Sequence, residues 1–119
     1  ARAVSRRIGG ERVRVAENAA AVEGGRFDLV VNATRLGMNA DDPLPLDLEA
    51  LGWAGGVMDL VYGPEETQFV QAARSLGIQA CDGGEMLVQQ GAASFELWWD
   101  RDAPVAAMQA ALQEVRGTG

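Results

Sequence analysis

The sequence predicts an α/β fold in which helices flank a parallel β-sheet. Three compact apolar runs, at residues 27–31, 56–62 and 78–81, have the length and composition of buried strands. Helical patterns, with apolar residues three and four positions apart, follow the second and third runs. Because parallel strands need crossover connections, usually helical, this alternation predicts a βαβ arrangement.

The first part of the chain is predicted to contain short elements around one buried strand. Prolines and polar residues at 41–45 indicate a loop, and the run at 27–31 is predicted to be buried on both faces. Four further elements are predicted before residue 52: a helix end at 1–8, an edge strand at 12–15, a short helix at 18–22 and another at 46–51.

The second part of the chain is predicted to be mostly helical. Pro64 suits the first turn of a helix, because a missing N–H costs nothing there. That helix would end at Gly77, and its predicted buried stripe is Phe69, Ala72, Ala73 and Leu76. A helix at 85–98 is apolar around most of its surface, which predicts that it is buried or held between layers. A last amphipathic helix is predicted at 104–115.

Composition excludes several classes of function. The 119 residues carry a net charge of −7, which argues against a surface for nucleic acid or for an anionic membrane. Cys81 is the only cysteine and the sequence has neither histidine nor lysine, so no metal site is predicted. Arginine is a poor proton shuttle, which weakens any claim that this sequence is a complete enzyme.

Three segments with polar residues lie where strands end or a helix begins, which is where open α/β sheets bind ligands. Asn32 and Thr34 follow the first strand and are ordinary turn residues when taken alone. Asp59 lies within an apolar strand, so its carboxylate must be paired or hydrogen-bonded, and we expect it to cap neighbouring N–H groups. Tyr62 is equally compatible with the core and with a ligand contact.

The third segment opens the long helix. Gly83 and Gly84 would let the backbone approach a ligand closely, although glycines also serve ordinary turns. Gln90 is the odd residue on an apolar helix, because a buried amide needs several hydrogen-bond partners. Each of these features is weak by itself.

Together, in order, type and spacing, the three segments resemble the shikimate dehydrogenase family. The nucleotide-binding domain of that family carries N-A-T-x-x-G-M, then D-x-x-Y-x-P-x-x-T, then G-x-x-M-L-x-x-Q-x-x-x-x-F-x-x-W. The matching residues here are Asn32, Ala33, Thr34, Gly37, Met38, Asp59, Tyr62, Pro64, Thr67, Gly83, Met86, Leu87, Gln90, Phe95 and Trp98. The resemblance implies a partial Rossmann-like parallel sheet flanked by helices.

The resemblance also implies roles in a site for NADP and for shikimate or 3-dehydroshikimate. Tyr62 would donate its hydroxyl to the shikimate carboxylate, and Gln90 would hydrogen-bond a ring hydroxyl. Leu60 and Gly83 would offer backbone groups to the nicotinamide carboxamide. Met86 would pack against the nicotinamide face.

Other residues would line the remainder of the cofactor. Asn32, Ala33 and Thr34 would contact it at a strand end, and Arg2, in a tail of the N-R-T-x-x-R-A motif, would contact the 2′-phosphate. A solvent-exposed helical arginine explains Arg2 equally well. Arg35 could add to the cofactor contacts, although a solvated loop arginine is the favoured interpretation.

The sequence departs from the family pattern in several places. The family's proton-transferring lysine and partner aspartate belong to an N-terminal substrate domain that this sequence does not contain, and its G-x-G-G-x-x-R/A turn has no counterpart here. Gly84 and Glu85 replace the commoner Leu-Gly pair. Trp99 and Asp100 replace a polar-Gly pair, so the end of the long helix is expected to differ.

The resemblance implies the C-terminal part of an NADP-dependent shikimate dehydrogenase, which reversibly reduces 3-dehydroshikimate to shikimate in aromatic amino-acid biosynthesis. Residues 1–82 would form the second half of the NADP-binding domain, and residues 83–119 helices that pack toward the missing substrate domain. We expect the fragment alone to be inactive and cytoplasmic. We also expect it to form a homodimer, because exposed strand edges favour association. The alternatives are a quinate/shikimate dehydrogenase paralogue using NAD and a non-catalytic binding module derived from the family.

Overall fold

A computed structural model describes residues 12–117, and over this range the predicted α/β fold is confirmed. The predicted helix end at 1–8 lies outside the described residues. The elements in chain order are a 3₁₀ turn at Ala19–Val22, β1 at Arg26–Phe27, β2 at Val30–Asn32, β3 at Trp53–Ala54, β4 at Gly56–Asp59, α1 at Gln68–Ser75, β5 at Gln79–Cys81, α2 at Gly83–Trp99 and α3 at Val105–Gly117.

All the strand pairs in the described range are parallel. β2, β4 and β5 form a three-stranded sheet in that order, and β1 pairs with β3 in a two-stranded sheet. Helix α1 provides the crossover from β4 to β5. The parallel register brings the carboxyl ends of β2 and β4 to the same edge, with Asn32 opposite Asp59.

The predicted strand at 27–31 is divided into two by a bend between β1 and β2. Gly55, which separates β3 from β4, lies beside this bend, and its N–H donates a 2.9 Å hydrogen bond to the Phe27 carbonyl oxygen. A Cβ atom at residue 55 would lie only 2.7 Å from the Asp28 carbonyl oxygen. The two chain segments therefore approach too closely at this bend for any residue but glycine.

The core covers one face of the three-stranded sheet. Val30, Val57 and Ala80 are in register on this face, and they pack with α1 and with the segment before β3. The opposite face carries Val31, Met58 and Cys81, which are in register across the three strands, and Val31 on this face is 45% exposed. The prediction that residues 27–31 are buried on both faces is therefore wrong, because the described elements cover only one face.

Two short elements predicted in the first part of the chain do not form. Residues 12–15 are exposed and are not a strand, because their alternating valines face no described core. Residues 46–51 form turns instead of a helix. Asp47 accepts the Glu49 N–H at 3.0 Å, a local bond that competes with helix formation, while Leu48 and Leu51 are buried in the core.

Helix α1 begins later than Pro64, at Gln68. Thr67 is its N-cap, with extended backbone angles and a hydroxyl oxygen that accepts the Val70 N–H at 3.3 Å. Pro64 and the two glutamates after it therefore lie in the loop before the helix. Phe69, Val70 and Ala73 are buried as part of its inner face, whereas Leu76 is 40% exposed. The helix ends before Gly77, which has a φ of +74°.

Helix α2 is buried only in its first three turns. Val88 and Ala92 are inside, but Leu97, Trp98 and Trp99 are 82%, 75% and 64% exposed. The prediction that this helix is enclosed along its length is therefore wrong for the described part of the chain. Helix α3 packs against α2 and contains no buried residue in the described range.

The departure from the family pattern after the tryptophans has a local structural cost. Asp100 ends α2 with φ 49° and ψ 44°, and its N–H donates to the Glu96 carbonyl oxygen at 2.9 Å. This left-handed conformation favours glycine. We expect Asp100→Gly to raise the free energy of unfolding by about 0.5–1 kcal/mol, measured by urea denaturation. Asp102→Gly is the control, and an equal gain there would contradict the assignment.

Candidate functional site

A cleft of about 830 Å³ opens between the loops that follow β2 and β4, at the carboxyl edge of the sheet. Four residues predicted to bind ligands line it: Ala33, Thr34, Leu60 and Tyr62. Gln68, in the first turn of α1, also lines the cleft, and its side-chain amide donates to the Ala40 carbonyl oxygen at 2.7 Å. Sequence reasoning missed this link between the β2 loop and α1, because nothing in the local pattern pairs residues so far apart.

Asp59 holds the cleft walls together. It is fully buried, and its Oδ1 accepts hydrogen bonds from the Asn32 amide at 2.8 Å and from the Val61 N–H at 3.0 Å. Its Oδ2 accepts the Thr67 hydroxyl at 2.7 Å. This carboxylate thus joins the end of β2, the loop after β4 and the N-cap of α1. The expectation that it caps a neighbouring N–H group is confirmed.

Asn32 shapes the first loop. Its amide nitrogen donates to Asp59 and to the Leu36 carbonyl oxygen, and its amide oxygen accepts the N–H and the hydroxyl of Thr34 at 3.1 and 2.7 Å. These four bonds use the full donor and acceptor capacity of an amide. Asn32 is also only 3% exposed, so it positions the loop while Ala33 and Thr34 stay exposed.

A second carboxylate closes the far end of this loop. Asp42 accepts the N–H groups of Gly37 and Asn39, each at 3.0 Å. The Asn39 N–H is the largest influence holding the pKa of Asp42 below its ordinary value of 3.8, with smaller contributions from the Asn39 side chain and the N–H groups of Gly37 and Met38. Because the pKa is lowered, the hydrogen bonds to the Asp42 carboxylate stabilise the loop fully above pH 3.8. That stabilisation is lost as the pH falls through the lowered pKa of the folded protein.

Gly83 brings the start of α2 against the β4 loop. Its N–H donates to the Val61 carbonyl oxygen at 3.1 Å. A Cβ atom there would lie 2.7 Å from the Leu60 carbonyl carbon, closer still to its oxygen, and 3.2 Å from the Tyr62 ring. The backbones of Leu60 and Gly83, which the resemblance assigns to one ligand group, are thus adjacent. Only glycine permits this approach.

The remaining predicted residues differ in exposure. Tyr62 is 49% exposed at the cleft, and Met86 is half-buried on the first turns of α2. Gln90 is exposed on α2 and is absent from the cleft lining, so its amide does not need buried partners. Arg35 is exposed in the β2 loop, and Arg2 lies outside the described residues.

Residues 12–117 offer neither of two other classes of site. No group of three or more histidine, cysteine, aspartate or glutamate side chains there could hold a metal ion. None of the helices in that range is long and apolar enough to cross a membrane.

The parallel sheet, its crossover helix and the cleft at the carboxyl edge together define a Rossmann-like α/β fold. The family described as "Shikimate 5'-dehydrogenase C-terminal domain" matches residues 83–113. The chain is 48% identical over 94 residues to the shikimate dehydrogenase (NADP(+)) of Moorella thermoacetica, covering 76% of this chain and 31% of the relative. It is 45% identical over 85 residues to that of Halobacterium salinarum, covering 71% and 32%.

A solved structure extends the similarity to nearly all of the chain. Shikimate 5-dehydrogenase from Thermus thermophilus, in complex with NADP(H) and shikimate, superposes with a TM-score of 0.77 at 31% identity. The match covers 97% of this chain and 42% of that structure. The chain therefore belongs to the shikimate dehydrogenase family and corresponds to its C-terminal part. It spans about a third of the length of the curated relatives it matches.

Proposed function

We propose that this chain is the C-terminal part of an NADP-dependent shikimate dehydrogenase that reversibly reduces 3-dehydroshikimate to shikimate. The observation that carries the proposal is the cleft between the β2 and β4 loops, which Ala33 and Thr34 of the first loop and Leu60 and Tyr62 of the second line together. The names of the relatives supply the substrate and the cofactor. When bound, the cofactor supplies the hydride, and the residues of this chain bind and orient the reactants.

The nicotinamide end of the cofactor is proposed to lie beside Leu60 and Gly83. The N–H of Leu60 donates to the Asn32 carbonyl oxygen at 3.0 Å, and the N–H of Gly83 donates to Val61. Because both donors are already engaged, the carbonyl oxygens are the groups left to accept hydrogen bonds from the carboxamide NH₂. Met86, half-buried one turn into α2, would pack against the ring.

The substrate is proposed to contact two exposed polar side chains. The Tyr62 hydroxyl would donate to the substrate carboxylate, and its 49% exposure leaves the ring accessible from the cleft. The exposed amide of Gln90, two turns along α2 from Gly83, would hydrogen-bond a ring hydroxyl. Such bonds hold the carbonyl carbon in place for hydride transfer.

The remaining cofactor contacts are proposed from the family motifs. Ala33 and Thr34 are accessible at the cleft, whereas Asn32 would act by holding their loop in place. Arg2 would bind the 2′-phosphate and distinguish NADP from NAD. Arg35 is exposed in the β2 loop, and a solvated side chain is the favoured interpretation over a cofactor contact.

The domain boundary is proposed to fall between residues 82 and 83, where β5 gives way to the two C-terminal helices. Leu97, Trp98 and Trp99 form an exposed apolar surface at the end of α2, and such surfaces are typical of interfaces. We propose that this surface packs against the substrate domain of the full-length protein.

A homodimer and a cytoplasmic location also stay predictions. Light scattering of the full-length protein tests the homodimer.

The test is steady-state kinetics of the full-length protein with shikimate and quinate, each with NADP and NAD. We expect Gln90→Ala and Tyr62→Phe each to lower kcat/KM for shikimate about 10–100-fold, the range for losing a hydrogen bond to a polar or charged ligand group. Gln89→Ala is the matched control, because Gln89 is the adjacent exposed glutamine and bonds to Glu85 instead. Equal losses at residues 89 and 90 would contradict the assignment.

The same assays separate the alternatives. Preference for quinate with NAD would identify a paralogue, and no turnover with any pair would favour a non-catalytic binding module. The isolated 119-residue chain is expected to be inactive. Measurable turnover by that chain alone would contradict the proposed dependence on a substrate domain.

A further inference from the structure

Arg116, near the end of α3, is linked to the start of α2 by an ion pair. Its Nη2 lies 2.7 Å from Oδ2 of Asp82, the N-cap residue of α2. The two side chains are 21% and 8% exposed, so the pair is largely removed from solvent. The other carboxylate oxygen of Asp82 accepts the Gly84 N–H at 2.9 Å. One carboxylate therefore binds the first turn of α2 and the last turn of α3 at once.

Gly84 makes room for this pair. A Cβ atom at that position would lie 2.5 Å from Arg116 Nη2 and 3.1 Å from Asp82 Oδ1. On the other side of the same turn, Gly83 lies against the Leu60 backbone and the Tyr62 ring. The first turn of α2 is thus held between α3 and the β4 loop, and the glycines permit both close approaches.

We propose that Arg116 is a positioning residue, which acts through Asp82 to fix the first turn of α2 and so the placement of Gly83 and Met86. The inference rests on the proposed function, because those two residues are the ones proposed to hold the nicotinamide end of the cofactor. Arg116 Nε is buried and has no hydrogen-bond partner among the described residues. Buried ion pairs often add little net stability. The expected effect of this pair is therefore on the geometry of the first turn of α2, not on the free energy of unfolding.

The test uses the full-length protein carrying Arg116→Met. We expect amide exchange at Gly84 to become about tenfold faster, because Asp82 loses the partner that holds it in place. We expect kcat to fall about tenfold, since a misplaced reacting ring slows hydride transfer. The KM for NADP should change less than about threefold, because the rest of the cofactor binds elsewhere.

Two conservative variants distinguish the effect of the ion pair on turnover from an effect on folding. Arg116→Lys keeps a cationic donor, so its kcat should lie between those of Arg116→Met and the wild type. Asp82→Asn keeps an N-cap acceptor for Gly84 but weakens the pair, so it should lower kcat without unfolding the helix. These two variants keep the proposal testable if Arg116→Met does not fold. A wild-type kcat and a wild-type Gly84 exchange rate in Asp82→Asn would overturn the proposal.

Leu112→Ala is the packing control, because Leu112 also approaches Gly84 from α3 but carries no charge. A fall in kcat equal to that of Arg116→Met would show that helix packing alone is responsible and would overturn the proposal. Failure of the proposed function is distinguishable, since it would appear as absent turnover in the wild type. The Gly84 exchange rates would then still decide whether Arg116 fixes the turn.

Discussion

Replacing Asp59 by alanine is expected to lower the free energy of unfolding by about 3–5 kcal/mol. The substitution would leave three donors without their acceptor: the buried Asn32 amide and Thr67 hydroxyl, and the part-buried Val61 N–H. Each unsatisfied buried donor costs about 1–3 kcal/mol. Because these donors belong to the end of β2, the β4 loop and the N-cap of α1, the cleft should lose its shape together with the stability. Urea denaturation followed by tryptophan fluorescence measures the first effect.

Asp59→Asn provides a graded comparison. An amide oxygen can still accept from Asn32 and Val61, but its NH₂ group would face the Thr67 hydroxyl, which now donates to Asp59. The expected loss is therefore smaller, about 1–2 kcal/mol. Asp41→Ala, at an exposed position in the β2 loop, is the control and should change stability by less than about 0.5 kcal/mol. Similar losses for Asp59→Ala and Asp41→Ala would refute the role of Asp59.

Gly83→Ala is expected to lower the free energy of unfolding by about 3 kcal/mol. The added Cβ would meet the Leu60 carbonyl group, with its carbon at 2.7 Å. Backbone atoms cannot rotate aside as a flexible side chain can, so α2 would have to shift away from the β4 loop. We expect the same shift to abolish most turnover by the full-length protein, because it separates Gly83 from Leu60 at the proposed nicotinamide position.

Gly91→Ala is the matched control on the same helix. A Cβ atom at residue 91 would meet nothing within 4 Å. Alanine has the higher helix propensity, so this variant should gain up to about 1 kcal/mol. The two glycine substitutions should thus have opposite signs in denaturation experiments. A stabilising Gly83→Ala would show that the close approach to Leu60 is not a constraint on the fold.

The periodic parts of the sequence predicted the fold well. The apolar strands, the crossover helix and the two C-terminal helices all form, and the parallel pairing follows from their alternation. The wrong predictions of secondary structure concern short segments, at residues 12–15 and 46–51, and the start of α1, while the burial predicted for residues 27–31 and for the whole of α2 was also wrong. In these places a few local bonds compete with weak propensities. The Asp47 turn and the Thr67 cap decided two of them.

The candidate site was predicted unevenly for a physical reason. Ala33, Thr34, Leu60 and Tyr62 meet at one cleft, because parallel strands bring their carboxyl ends to a common edge. Gln90 could not be placed in the same way, since a helical pattern does not specify which face stays exposed. The sites of Arg2 and of the substrate remain proposals for the kinetic experiments.

The sequence by itself determined the family and the position of the ligand-binding edge. The residue types, order and spacing of the three motif segments identify the family, and they predict a ligand edge at Asn32, Asp59 and Gly83. The tertiary structure decided how that edge is held together. Asp59 accepts hydrogen bonds from a strand end, a loop and a helix cap, and Asp82 pairs with Arg116, which is 34 residues further along the chain. Such bonds join groups that are distant in sequence, and only the packed backbone brings them within hydrogen-bonding distance.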